Sequence, residues 1–164
     1  MATLACVEQA DAGDGSLAGS TAMIEPDCAR MGEFTVELGE GSERFDPLAA
    51  DAQPTLHSGA QGGTHLLLAA RVTTPDPLDR YEVSLLAEAG QDCSAGECTS
   101  FITIGAIDRV IEGSDWLSVG ELEVEIPSLF LVVDGWASAP LRRLTLEVAD
   151  ACDRRASSQR SFEP

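Results

Sequence analysis

Alternating apolar and polar side chains recur throughout this sequence, and this spacing of two is the feature that most constrains its fold. The clearest case follows a glycine-rich turn at 59–63, where four apolar residues share one face of an extended run: Leu66, Leu68, Ala70 and Val72. Because successive side chains of a strand point to opposite sides, these four are expected in a core, with His65 and Arg71 on the outer face. Adjacent Gly62 and Gly63 permit backbone angles closed to other residues, so a sharp turn precedes the strand.

Four more stretches repeat this rhythm, at residues 33–38, 80–88, 121–126 and 144–148. Each places apolar side chains on one face and polar or charged ones on the other, which is typical of a half-buried strand. Shorter strand-like runs at 101–104, 106–111, 129–133 and 156–162 are separated from them by turns rich in Gly, Pro and Asp. No amphipathic helix of three turns is evident, so the sequence predicts an all-β fold, an antiparallel sandwich of about seven to nine strands.

The order of these stretches leads to three local expectations. Pro127 cannot donate to a sheet ladder, so it is expected to interrupt the chain between a strand at 121–126 and a short buried run at 129–133. Residues 93–98 are expected to form a loop. If the strand at 80–88 pairs with the strand before it, Glu82 or Glu88 lies opposite His65 or Arg71 on the polar face.

The N-terminal residues differ from the rest of the chain. They are small, polar and acidic without apolar periodicity, so residues 1–27 are predicted to form a flexible tether and residues 28–164 the sandwich domain. The whole chain has 28 acidic and 10 basic residues, a net charge of −18. Such a surface repels phosphate backbones, which argues against nucleic-acid binding, and no apolar run approaches the roughly 18 residues of a membrane helix.

The five cysteines indicate an oxidising compartment, and their odd number raises the question of which one is unpaired. Thr3-Leu4-Ala5-Cys6 is similar to the end of a bacterial lipoprotein signal, in which the cysteine becomes the lipidated first residue. The apolar run that such a signal requires is missing from the five residues before Cys6, so we expect a trimmed sequence. A disulfide between Cys6 and Cys28 is the alternative.

The C-terminal stretch Leu144-Thr-Leu-Glu-Val-Ala-Asp150-Ala-Cys-Asp153 is similar to the last hairpin of bacterial immunoglobulin-like and PKD-like modules. Gln61-Gly-Gly-x-His65 resembles a turn in uncharacterised secreted lipoproteins of gliding and predatory bacteria. These resemblances imply an immunoglobulin-like sandwich on a short acidic tether, exported to the envelope or the outside of a bacterium, and they imply no known activity.

The resemblance also bears on the cysteines. If Cys6 carries the lipid, the other four allow three connectivities. In an immunoglobulin-like sandwich the first strand can run parallel beside the last, which implies a disulfide between Cys28 and Cys152. Cys93 and Cys98 are close enough in the sequence to staple their own loop.

The chain has only two histidines, which limits the catalysis that it can support. His65 with an outward neighbour such as Glu82 would serve as a general base, but no nucleophile motif such as Gly-x-Ser-x-Gly accompanies it, so a non-enzymatic protein is predicted. His65 is expected instead to bond backbone groups of the glycine turn, and His57 to be solvated. The two histidines flank this turn, but two ligands alone are a weak basis for a transition-metal site.

Five aspartates near predicted turns make calcium the ion to consider: Asp76, Asp79, Asp134, Asp150 and Asp153. Carboxylates on loops are the hard oxygen ligands that Ca²⁺ requires, but aspartate also favours turns without any ion.

Trp116 and Trp136 lie in predicted loops, where exposed indoles would suit a carbohydrate or protein partner. Alternatively, they cap the ends of a core that is otherwise poor in aromatic residues.

Together these features predict a non-enzymatic, exported surface or envelope module with a binding or structural role. A calcium- or metal-binding sandwich is the alternative function, and no other cofactor is predicted. A protein or carbohydrate partner is expected, with His65, Trp116 and Trp136 as candidate binding residues. Attachment to a membrane would occur through a lipid on Cys6 rather than through a transmembrane segment.

Overall fold

The computed structural model of the chain describes residues 27–30, 32–50, 52–59, 62–94 and 96–163. Short 3₁₀ turns lie at Cys28–Arg30 and Trp136–Ser138. This part of the chain forms ten strands: β1 (Thr35–Glu40), β2 (Asp46–Pro47), β3 (Leu56–Ser58), β4 (Thr64–Thr73), β5 (Arg80–Ser94), β6 (Glu97–Glu112), β7 (Leu117–Ser118), β8 (Glu123–Val132), β9 (Arg142–Asp150) and β10 (Arg155–Phe162). The predicted tether and Cys6 lie outside the described residues, except for Asp27.

The strands form two antiparallel sheets. The six-stranded sheet has the order β2-β1-β4-β8-β7, with β3 pairing β4, and the four-stranded sheet has the order β10-β9-β5-β6. β2, β3 and β7 are only two or three residues long, so seven strands of six residues or more carry the architecture. The predicted all-β antiparallel sandwich is confirmed. The first and last long strands, β1 and β10, lie in different sheets, where β1 pairs with β4 and β10 with β9.

The core lies between the inner faces of the two sheets. Leu66, Leu68, Ala70 and Val72 of β4 have no exposed surface, as their spacing predicted. The facing sheet contributes apolar side chains from alternate positions of its two central strands: Tyr81, Val83, Leu85 and Ala87 of β5, with Leu144, Leu146 and Val148 of β9. Within the described residues, no helix is long and apolar enough to span a membrane.

The expected loop at 93–98 is instead the end of a long hairpin. β5 continues to Ser94, and β6 is one strand rather than two short ones, since it runs from Glu97 to Glu112. A register shift next to Ala87 allows this length, because an irregularity in the ladder lets both long strands follow the twist of the sheet.

β8 also differs from the expectation, because Pro127 does not end it. Pro127 and Ser128 together oppose the single residue Ala69 of β4, which forms a bulge where a proline needs no ladder partner. Ser128 adopts a positive φ of 62° in this bulge. The strand then continues with alternating burial, so the residues after the bulge are not a uniformly buried run: Phe130 and Val132 are exposed. Leu122, expected inward, precedes β8 and is exposed too.

A short segment, Gly41–Phe45, crosses the outer face of the six-stranded sheet, and we call it the strap. Gly41 donates its N–H to Leu67 O of β4 over 3.1 Å, and its carbonyl accepts from Ser128 N of β8 over 2.9 Å. Gly41 therefore bonds to two neighbouring strands of the sheet, β4 and β8. The Phe45 ring lies over Gly39, where a Cβ would come within 2.5 Å of it. Ala69 points outward on β4 but is fully buried beside the strap.

A buried carboxylate fixes the end of the strap. Glu125 of β8 accepts the backbone N–H of Phe45 over 3.2 Å, and its other oxygen accepts from Arg71 Nη2 over 3.1 Å. The Arg71 guanidinium lies 4.2 Å from the centre of the Phe45 ring. The Glu125 side chain is only 6% exposed, so both of its oxygens depend on these protein donors.

Two disulfides lie in the described part of the chain. Cys28 is bonded to Cys152, 124 residues away, and this bond ties the segment before β1 to the turn between β9 and β10. Cys93 and Cys98 are cross-strand partners in the β5–β6 hairpin and are bonded to each other, five residues apart.

Removing these two bonds is expected to have unequal effects on stability. In the chain-entropy model, the Cys28–Cys152 bond contributes about 5 kcal/mol and the Cys93–Cys98 bond about 2 kcal/mol, because the longer loop restricts the unfolded chain more. Urea denaturation of Cys28→Ser/Cys152→Ser and Cys93→Ser/Cys98→Ser proteins measures both losses. Equal losses of unfolding free energy would contradict this ranking.

The strap is expected to depend on Glu125. Glu125→Ala removes the acceptor for Phe45 N and leaves Arg71 without its partner, so the free energy of unfolding should fall by roughly 2–3 kcal/mol. Glu121→Ala is the matched control, since Glu121 is exposed just before the same strand, and its effect should stay within about 0.5 kcal/mol. Urea melts that give both variants the same stability would show that the carboxylate does not hold the strap.

Candidate functional site

The two histidines of the chain are direct neighbours on the outer face of the six-stranded sheet. His57 of β3 and His65 of β4 are paired in the register of the two strands. Their rings are nearly parallel, with 5.5 Å between centroids and 20° between planes. On the other side of His65, the Phe130 ring lies 4.4 Å away. Three rings from three adjacent strands therefore form a row across this face.

Around this row lies a surface that we call the aromatic patch, which comprises His57, His65, Leu67, Phe130 and Val132. The strand register brings its members together, because His65 lies opposite Val132 and Leu67 opposite Phe130. Phe130 is 47% exposed and Val132 is 50% exposed. None of the five side chains is acidic, although the protein carries a charge of −18. Clustered exposed apolar side chains of this kind mark interaction sites on soluble proteins.

The strap determines where the aromatic patch ends. On the outer face of β4 the side chains after Leu67 are Ala69, which is buried beside the strap, and Arg71, which bonds Glu125. The apolar surface of the sheet is therefore covered at one end by Phe45 and open at the other around Phe130. Phe130 is not among the predicted site residues, because residues 129–133 are expected to form one buried run. The signal for its exposure is the strand spacing of two, which places Phe130 and Val132 on the face opposite Leu129, Leu131 and Val133.

The prediction that Glu82 or Glu88 lies opposite His65 or Arg71 is wrong. β5 lies in the four-stranded sheet and not beside β4, so Glu82 and Glu88 face away from both side chains. Glu82 accepts from Arg80 over 3.0 Å and Glu88 from Arg143 over 2.7 Å. Glu125 takes the place opposite Arg71.

The expected bond of His65 to the glycine turn also differs from the structure. The turn is closed by its own backbone, since Gly59 donates to Gly63 O over 2.8 Å and Gly62 to Gly59 O over 3.0 Å. Among the described residues, no hydrogen bond reaches either imidazole, and the contacts of both are with rings. The imidazole nitrogens are therefore not engaged by this part of the protein.

The candidate calcium ligands do not converge. Asp150 is buried and accepts from Cys152 N, Arg154 N and Arg154 Nε, and Asp153 pairs with Arg155 at the surface. Asp76 and Asp79 lie in the exposed β4–β5 connection, whereas Asp134 lies beyond β8, where its N–H bonds Ile104 O. The described residues include no group of three or more His, Cys, Asp or Glu side chains placed to hold a metal ion. No contact of these aspartates therefore favours a calcium site.

The two tryptophans are packing residues in this structure. Trp136 is 2% exposed, and its ring centroid lies 5.9 Å from that of Phe162. Trp116 is half-buried and meets Tyr81 edge-on at 6.4 Å. Both contact the core, as the structural alternative expected, so neither presents an exposed indole to a ligand.

A groove lies on the outer face of the four-stranded sheet. It is an open groove of about 680 Å³, lined mainly by polar and charged side chains of all four strands, among them Glu82, Ser84, Asp108, Glu147, Arg155 and Ser157. Carboxylates, two arginines and several aliphatic side chains line this groove, and no aromatic ring does. The groove offers hydrogen bonds and aliphatic surface but no aromatic ring, so the aromatic patch, with its exposed Phe130, is the stronger candidate for a binding site.

Tyr81, the only tyrosine, is fully buried between Phe34 and Trp116 near the Cys28–Cys152 bond. Burial raises the pKa of its hydroxyl above the ordinary 10.0, and the charge of Asp150 adds to this effect. The N–H of Leu78, 3.1 Å from the hydroxyl, and the guanidinium of Arg154 oppose it. The neutral phenol is therefore the form that the fold prefers.

The protein is expected to lose stability in alkali as Tyr81 ionises. Since its pKa is higher in the folded than in the unfolded chain, the folded state retains a proton that the unfolded state loses above pH 10.0. The stability contributed by the neutral Tyr81 phenol is complete below pH 10.0 and disappears as the pH rises through the pKa of Tyr81 in the folded chain. Phenolate absorbance during alkaline titration gives the two midpoints, and Tyr81→Phe is the control. A folded midpoint at or below that of the urea-unfolded chain would refute the shift.

Comparison with known proteins yields only distant structural likenesses. No protein-family model matches the chain, and no curated protein matches it. The CooA pilin subunit from enterotoxigenic Escherichia coli is 16% identical, with 79% of this chain and 99% of that chain covered and a TM-score of 0.40. DesR, a β-glucosidase from Streptomyces venezuelae solved in complex with D-glucose, is 14% identical over 81% of this chain but only 15% of its own length, with a TM-score of 0.30. Both likenesses are too remote to assign a function, which must be inferred from the surface of this chain.

Proposed function

We propose that this protein is a non-enzymatic, exported module that binds another protein through the aromatic patch. The observation that carries the proposal is the exposure of Phe130 and Val132 on an open sheet face beside the rings of His57 and His65. Burying such side chains against a partner removes apolar surface from water, which is the main favourable contribution to protein association.

Export is supported by the cysteines. Four of the five form disulfides, which persist in oxidising compartments such as the bacterial periplasm and the cell exterior. The resemblance of Thr3-Leu4-Ala5-Cys6 to the end of a lipoprotein signal makes lipidation of Cys6 the corresponding proposal for its attachment. The acidic residues 1–27 would then serve as a tether between the membrane and the sandwich.

The chemistry of the aromatic patch favours a protein over a carbohydrate. Neither tryptophan presents an exposed indole face, and the patch combines aliphatic side chains with a phenyl ring on the surface of a sheet. The charge of −18 opposes face-to-face pairing of two copies, so the partner is a different protein with an apolar surface and a basic rim.

A non-enzymatic role agrees with the surroundings of His65. Within the described residues, this imidazole contacts the rings of His57 and Phe130. Glu82, the carboxylate considered as its partner in general-base catalysis, lies in the other sheet. The buried carboxylates serve structural bonds instead: Glu125 holds the strap, and Asp150 holds the β9–β10 turn.

The proposal is tested by substituting the exposed side chains of the patch. Phe130→Ser/Val132→Ser protein is expected to lose a partner that immobilised wild-type protein retains from an envelope extract of the source cells, because apolar contacts are lost. The same retention is not expected from the cytosolic extract. Ile102→Ser is the matched control, since Ile102 is 49% exposed on β6 and outside the patch.

The retained partner is then purified, and its affinity for all three proteins is measured by titration calorimetry. Loss of binding in the patch variant alone supports the proposal. Equal affinity of the patch variant and the wild type, with both folded by circular dichroism, would show that the aromatic patch is not the binding surface.

A further inference from the structure

The cross-strand pair of His57 and His65 places two imidazoles at one point on the surface. Directly opposed residues of an antiparallel pair have Cβ atoms about 5 Å apart on the same face, and here the rings follow each other at 5.5 Å. Both side chains are half-buried, so each is held on one side and open on the other. These are the only histidines among 164 residues.

The state of the imidazole nitrogens is the second observation. A histidine that serves the fold alone usually bonds its ring nitrogens to backbone or carboxylate groups when it is partly buried. In the described part of the chain neither imidazole makes such a bond, and the turn beside His65 is closed by its own backbone. An imidazole nitrogen that makes no such bond is open to an external ligand.

The surroundings favour a cation. Gly59 carries no side chain that would pack against His65 Nδ1, since a Cβ there would lie 4.0 Å from that atom, at van der Waals distance. The overall charge of −18 raises the concentration of divalent cations at the surface. Phe130 covers one face of the His65 ring without offering a competing ligand.

From this geometry we infer that His57 and His65 form a two-histidine site for a divalent transition-metal ion. Each imidazole donates one nitrogen lone pair after a small rotation of its side chain, and water molecules complete the coordination. Nitrogen ligands select Cu²⁺, Ni²⁺ and Zn²⁺ over Ca²⁺, and Cu²⁺ is expected to bind most tightly. The site shares His57 and His65 with the aromatic patch, but it depends on the two imidazoles and not on the exposed side chains of Phe130 and Val132.

Titration calorimetry of untagged, metal-stripped protein with CuCl₂, NiCl₂ and ZnCl₂ tests the site. The Cys6→Ser background is used because a cysteine thiolate binds the same ions. We expect one equivalent to bind, with Cu²⁺ tightest. His57→Gln and His65→Gln should each weaken binding by roughly tenfold or more, since a lost ligand costs no less than a lost outer-shell group. No binding to the parent, or unchanged affinity in both variants, would overturn the inference.

Nuclear magnetic resonance provides a readout without substitution of either histidine. Substoichiometric Cu²⁺ should broaden the imidazole C–H signals of both histidines together, because one paramagnetic ion contacts both rings. Broadening of one signal alone, or of neither, would overturn the inference even if a glutamine variant failed to fold. The Phe130→Ser/Val132→Ser protein keeps both imidazoles and should retain the parent's metal affinity, so loss of a protein partner and loss of the metal site remain distinguishable.

Discussion

Burial of aliphatic side chains between the two sheets is the interaction on which the rest of this structure depends. Aromatic residues make up only 5% of the chain, so leucine, isoleucine, valine and alanine must fill the space between the inner faces. Each fully buried large aliphatic side chain contributes about 1.5–3 kcal/mol relative to exposure, and this gain must offset the ordering of the whole chain. It also fixes the register, because a slip of one residue in β4 would move Leu66 and Leu68 into water and His65 into the core. The positions of His65 and Arg71 on the outer face are therefore a consequence of the core.

The outer face of the six-stranded sheet is divided by a single piece of irregular structure. The bulge at Pro127 and Ser128 turns the Ser128 N–H toward Gly41, and the strap crosses β4 at this point. Glu125 then accepts hydrogen bonds from Phe45 N and from Arg71 Nη2, so one buried carboxylate holds the end of the strap against the sheet. The same sheet face thus has a closed half, where apolar surface is covered by the chain itself, and an open half around Phe130. The open half is the surface on which the proposed protein partner would bind.

The sequence predicts the positions of the strands better than it predicts which strands pair. The alternation in β4, β5 and β9 depends on neighbouring residues, so the inward side chains of these strands were predictable. Which strands pair depends on contacts between distant parts of the chain, and for this reason the acidic partner of Arg71 was expected on β5 and lies on β8. The prediction for Pro127 failed for a similar reason: a proline that ends most strands fits a bulge, and here the distant strap supplies the acceptor for Ser128 N. The pairing of His57 with His65 had a weak local signal, the short turn between them, whereas the contribution of Phe130 required the strand order.

The charge of the protein and its apolar patch make opposite demands, and their combination limits the kind of partner that fits. A net charge of −18 disfavours close contact between two copies of the chain, most strongly at low salt, although Phe130 and Val132 expose apolar surface. The same field attracts basic proteins and divalent cations from a distance, whereas the patch and the histidine pair act only on contact. On the proposed function, electrostatic attraction would bring a partner to this surface, and the apolar side chains of the patch would hold it there. Because His57 and His65 belong to the aromatic patch, a metal ion bound to them would lie on the same sheet face as Phe130, whose ring is 4.4 Å from that of His65.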